Sequence, residues 1–91
     1  MPDDKVWSDL QGQCLVLDLS SPYVVLGTLA AAETLYVTLL DADVHDLRDS
    51  KTTRELYVLE SRRHGVRCNR KRVSVSRNEI VSVSRLDDVV E

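Results

Sequence analysis

Aromatic residues make up only 4% of this 91-residue chain, and it has just three glycines, two prolines and two cysteines. Three scattered glycines leave no Gly-rich loop of the kind that cradles phosphate. Cys14 and Cys68 are too few and too isolated for a zinc site or a disulfide framework. A single bridge between them is geometrically open but unsupported by its context, so each reads as a small buried hydrophobe with no redox role. Long apolar runs are missing too. Asp or Thr interrupts each within a few residues, far short of the roughly 20 residues that a membrane helix needs. The start, Met1-Pro2-Asp3-Asp4, is acidic where a secretion signal is basic and then strongly apolar, so the expected location is the cytoplasm.

What is present describes one small domain over residues 1–91, with 43% hydrophobic and 30% charged residues. A chain of this size buries only about 60–65% of the surface it exposes when unfolded, so association with copies of itself would help its stability. The net charge of −3 conceals a gradient. Residues 1–50 carry nine acids and two bases, a balance of −7, and residues 51–91 carry ten bases and six acids, a balance of +4. Such asymmetry fits either a polyanion site in the basic half or two faces that meet between identical subunits. The densest stretch is Arg62-Arg63-His64-Gly65-Val66-Arg67-Cys68-Asn69-Arg70-Lys71-Arg72. It reads either as a solvated hairpin or helix end, or as a phosphate-contacting surface. No aromatic interleaves it, so the stacking platform of single-strand binders is missing there.

The order of elements follows from the period of the apolar residues. Pro2, Asp3 and Asp4 suit a helix start, and Trp7 and Leu10 share a stripe before Gln11-Gly12 ends it. Beyond Gly12 the period becomes two, with Leu15, Leu17 and Leu19 on one face and Cys14, Val16 and Asp18 on the other, which predicts a strand. Ser20-Ser21-Pro22 breaks it, and a second β-rich run over residues 23–29 contains Gly27, the mark of a bend or bulge. Residues 30–34 are expected to be a turn, followed by a third strand over residues 35–44. Thr52-Thr53-Arg54-Glu55 matches a capping box, Leu56 and Leu59 recur at helical spacing, and Arg62, Arg63 and His64 crowd the end before Gly65. That predicts a helix over residues 52–64, with a strand in residues 56–59 as the alternative. Val73-Ser74-Val75-Ser76 and Ile80-Val81-Ser82-Val83-Ser84 then read as two strands with one buried and one small polar face. The expected fold is mainly β: a small five-stranded open barrel with a short N-terminal helix and a helix inserted between strands three and four.

This order resembles the Sm-like (LSm) family over residues 4–88. Gly12 followed by Leu15, Leu17 and Leu19 looks like the family's first strand. Gly27-Thr28-Leu29 with Glu33 and Leu40 resembles its first motif, and residues 75–83 followed by Leu86-Asp87-Asp88 resemble its second. The resemblance implies subunits that close into a ring by pairing the fourth strand of one with the fifth of the next, and it makes RNA the partner class. It also implies a base pocket built from an acid, a stacking residue two positions on and an Asn two further, completed by an Arg-Gly. Those positions read Glu33, Leu35 and Val37, so only the acid is kept, with Tyr36 or Thr38 as substitutes if the turn is one residue longer, and the Arg-Gly falls on Ser76-Arg77, which keeps a displaced Arg but not the Gly. A uridine pocket of the family's kind is therefore not expected.

No catalytic constellation stands out around His45 or His64, so the chain reads as a non-enzyme without metal, cofactor or small-molecule substrate. His45-Asp46 between Asp43 and Asp49 could chelate a cation, but scattered acids without a Gly-punctuated loop read as a solvated surface. The leading expectation is a homo-oligomeric ring that binds RNA, with Glu33, Tyr36, Arg62, Arg63, Arg67, Arg70, Lys71, Arg72 and Arg77 as RNA-contact candidates. Val73, Val75, Ile80, Val81 and Val83 are the subunit-interface candidates. The alternatives are a structural or protein-interaction ring whose basic strand is consumed by subunit contacts, and a monomeric SH3-like adaptor.

Overall fold

The computed structural model describes residues 2–49 and 51–91. Helix α1 (Pro2–Asp9) leads into strands β1 (Cys14–Leu19), β2 (Tyr23–Ala32) and β3 (Tyr36–Asp46). Helix α2 (Arg54–His64) follows, then β4 (Arg70–Ser76) and β5 (Ile80–Arg85). The strands form one antiparallel sheet in the order β4-β3-β2-β1-β5, which leaves β4 and β5 as its two edges. No helix among the described residues is long and apolar enough to cross a membrane.

Alternation sends Leu15 and Leu17 of β1, Val25 and Leu29 of β2, Val37 and Leu39 of β3 and Val75 of β4 to one face, where they form the main core. Trp7 and Leu10 from α1 and its exit pack against that core. The opposite face is also covered: Val16, Val24 and Leu26 pack with Val58 of α2 and with Leu86. An antiparallel sheet commonly leaves one face in water; the helix between β3 and β4 prevents that here.

The sheet bends where β2 meets β3. Leu26 lies opposite Asp43 and Thr28 opposite Leu40, so the single residue Gly27 faces both Asp41 and Ala42. Asp41 takes the extra-residue conformation at φ 49°, which short polar side chains tolerate. The bulge reverses the parity of β3, which lets Leu39 and Ala42 both face the core. A second bulge, between Asp18 and Leu19, skips Val81 and pairs Ile80 with Leu19. Ile80 and Val83 therefore pack on the core, and Val81 is 70% exposed.

Four expectations are corrected. Residues 30–32 are not a turn: they extend β2, and pairing continues to Ala32 opposite Val37, because the alanines are small enough for a second register shift between Leu29 and Ala31. Helix α2 starts at Arg54, with Thr53 as its cap; the Thr53 hydroxyl accepts from the Leu56 N–H at 3.1 Å, so Leu56 and not an acid occupies the third helical position. The helix turns Arg54, Tyr57, Val58 and Ser61 inward, an i, i+3, i+4, i+7 stripe, while Leu56 is exposed. Cys68 is exposed instead of buried, whereas Cys14 is half-buried and desolvation pushes its thiol pKa up.

Candidate nucleic-acid interface

At one end of the sheet, the β2–β3 turn and the β4–β5 turn meet. The first closes with the Glu33 N–H donating to the Tyr36 carbonyl at 2.8 Å. The second begins at Arg77, whose backbone N–H donates to the Leu35 carbonyl at 2.9 Å and whose Nη1 donates to the Glu33 carbonyl at 2.6 Å. The same guanidinium lies over the indole of Trp7, 5.6 Å from the ring centroid. Arg77 thus ties both turns and α1 together. Trp7 was not singled out by its place in the sequence; its stripe with Leu10 reads only as a core-facing pattern.

The turn presents Leu35, 65% exposed, and Tyr36, 52% exposed, beside the exposed Glu33. Val37 is fully buried in the core. Thr38 is also buried, and its hydroxyl is engaged with the Ser74 hydroxyl at 3.0 Å. Neither offers a free hydrogen-bonding group at the surface. Tyr36 supplies a π-face and Glu33 a carboxylate, and a base stacked there would be held without readout from the two following positions.

Of the basic candidates only Arg77 lies at that turn; the others lie on the last turn of α2, the segment after it and edge strand β4. Arg63 is engaged with Glu60 at 3.6 Å and with Glu91 at 2.5 Å. Arg70 donates to the Asn69 carbonyl at 3.0 Å. Arg62, Arg67, Lys71 and Arg72 are exposed and have no acidic partner among the described residues. Positive charge without neighbouring carboxylates is what a phosphate backbone requires.

Of the interface candidates, Val75 belongs to the chain's own core, and Val73, Ile80 and Val83 are partly buried against it. Val81 alone stands in solvent on the β5 edge. Asp46, one of the acids near His45, is instead engaged by Arg48 through a pair of hydrogen bonds at 3.0 and 2.8 Å, and no group of three or more metal-ligating side chains is gathered among the described residues.

A further polar constellation lies under the end of α2. Tyr57 donates to the carboxylate of Asp43, and its ring stacks on the imidazole of His45 at 4.0 Å and 8°. Burial, then the hydrogen bond to Asp43, pushes the Tyr57 hydroxyl pKa upward, so it stays a donor at all ordinary pH values. Sequence spacing did not single this group out, since Asp43 and Tyr57 are 14 positions apart and only the inward stripe of α2 brings them together.

No family model and no curated protein matches the sequence. Among solved structures, the chain is similar to the Sm protein of Pyrococcus abyssii in complex with a uridine heptamer. The two share 16% identity with a TM-score of 0.62, over 93% of this chain and 97% of that one. The likeness is one of fold: a short N-terminal helix and five antiparallel strands in the Sm arrangement, with α2 between β3 and β4.

Proposed function

We propose that residues 1–91 form one Sm-type domain that closes a homo-oligomeric ring through its β4 and β5 edges and acts there as a non-enzymatic scaffold for single-stranded RNA. The observation that carries this reading is the set of four exposed candidate cations, Arg62, Arg67, Lys71 and Arg72, that are engaged by neither a carboxylate nor a carbonyl among the described residues, beside an open sheet edge of an Sm-type fold. The two open edges support the assembly, because unpaired N–H and C=O groups on both sides of one sheet favour a head-to-tail partner. Binding runs mainly through phosphates and discriminates poorly among bases at the β2–β3 turn, where Val37 is buried and Thr38 is already bonded. A pocket selective for uridine is absent from that turn.

If each of the four cations neutralises one phosphate, log affinity falls with log salt at a slope of about −3, so binding weakens about 50-fold between 50 and 200 mM salt. Fluorescence anisotropy with labelled oligonucleotides measures this; no binding at low salt refutes the reading. Replacing Arg70, Lys71 and Arg72 by Ala separates it from a purely structural ring. An intact oligomer that has lost RNA supports the proposal, and loss of the oligomer, read by light scattering, supports the structural ring.

A further inference from the structure

We propose that the cleft beneath the last turn of α2 is a nucleotide subsite, distinct from the β2–β3 turn, that takes a base bearing an exocyclic amino group at Asp43 and its phosphate at Arg67. The RNA reading above supplies the reason for choosing a nucleotide. The cleft measures about 670 Å³ and is bounded by the end of β3, α2 and residues 65–69. That is within the range of sites for small ligands.

Asp43 forms its floor and is only 7% exposed. A carboxylate accepts up to about four hydrogen bonds, and Tyr57 is the side-chain donor that reaches this one. Burying a carboxylate on the face where Val16, Val24 and Leu26 lie is costly unless it is hydrogen-bonded, and because Asp43 lines the cleft, a ligand there can supply a further donor. The stacked His45 and Tyr57 rings line the cleft beside it.

The walls leave few other contacts open. Asn69 spends its amide on the chain itself, accepting from the Val44 N–H and donating to the Val44 carbonyl, both at 3.0 Å. Glu60 is engaged by His64 at 3.2 Å and by Arg63. Ser61 donates to the Tyr57 carbonyl at 3.0 Å. What remains is an acceptor at the floor and the five-donor fork of Arg67 at the rim. A complementary ligand therefore carries a hydrogen-bond donor at one end and an anion at the other. Adenine, cytosine and guanine present an exocyclic amine; uracil presents a carbonyl oxygen in its place, which the carboxylate repels.

Titration of the full chain with AMP, CMP and UMP, followed by amide and side-chain NMR, tests this. AMP and CMP are expected to shift Asp43, His45, Tyr57 and Asn69, and UMP to bind about tenfold more weakly, the loss of one hydrogen bond to a charged group. R67A, an exposed change that leaves the packing untouched, should weaken AMP binding, and D43N should remove the preference over UMP. Absence of cleft shifts with every nucleotide overturns the proposal, as does equal binding of AMP and UMP. The two readings fail separately. Salt-dependent oligonucleotide binding by the unaltered chain, with no cleft shifts from any nucleotide, overturns the subsite alone; cleft shifts with AMP in a chain that binds no oligonucleotide support the subsite and overturn the RNA scaffold.

Discussion

Replacing Gly27 by alanine adds one methyl at the tightest point of the sheet. A Cβ there would meet the Cβ atoms of Ala42 and Leu39 at 3.0 Å each and the Leu40 carbonyl oxygen at 3.1 Å. None of these is the free end of a flexible side chain, so relief requires the β3 backbone to shift at its bulge. Overpacking of this kind costs about 1–3 kcal/mol, and the reduced freedom of the unfolded chain on losing a glycine returns about 0.4–1 kcal/mol. The net expectation is a loss of about 1–2 kcal/mol. With a urea slope of about 1–3 kcal/mol per molar, the unfolding midpoint falls by about 1 M at unchanged slope. The melting temperature falls by about 5–15 °C. Combining G27A with A42G removes one of the three contacts, so the double variant should be more stable than the sum of the single changes by about 0.5 kcal/mol or more. A G27A protein as stable as the parent, or strict additivity in the double variant, refutes the argument that close approach at the bulge requires glycine.

Other perturbations act locally. Thr53→Ala removes the acceptor for the Leu56 N–H and should cost about 1 kcal/mol; hydrogen exchange should show faster opening confined to the first turn of α2, and uniform acceleration across the sheet would contradict that. Hydrogen bonds from the Arg48 side chain, then from its backbone N–H, lower the Asp46 pKa to about 2. Because the folded value lies below the unfolded one, the pair stabilises the fold above the ordinary aspartate range and loses that contribution as pH falls towards about 2. Carboxyl NMR should place the Asp46 midpoint near 2, and Arg48→Ala should return it towards about 3.9; an unshifted wild-type midpoint contradicts the geometry.

Strand β4 was legible in the sequence because period-two alternation survives where one face is buried, as in Val73-Ser74-Val75, and β1 as a short apolar run bounded by turn residues, with Leu15, Val16 and Leu17 all buried. Alternation says little where a bulge intervenes: Ile80 and Val81 are adjacent and equally apolar, yet the skipped position sends one to the core and the other to solvent. Helix α2 was legible from its cap and its basic end, but its buried stripe was not, since Arg54 and Ser61 are polar and Leu56 is the apolar residue left outside. Arg54 is accommodated by Asp18 at 3.2 Å and by the Tyr23 and Ser21 carbonyls at 3.4 Å, partners that lie on other elements and leave no local signature. For the same reason the basic run could be counted from the sequence but not divided into engaged and unengaged cations.

The covered outer face sets a condition on any relative of this chain with a short β3–β4 connection. Without α2, Val16, Val24 and Leu26 would face water as one apolar patch, and such patches invite association. A shortened form must carry polar residues at those three positions. The length of the connection and the polarity of one face of two distant strands are thus tied, and residues 16, 24 and 26 should change together with the presence of the helix, although they lie more than 25 positions from it.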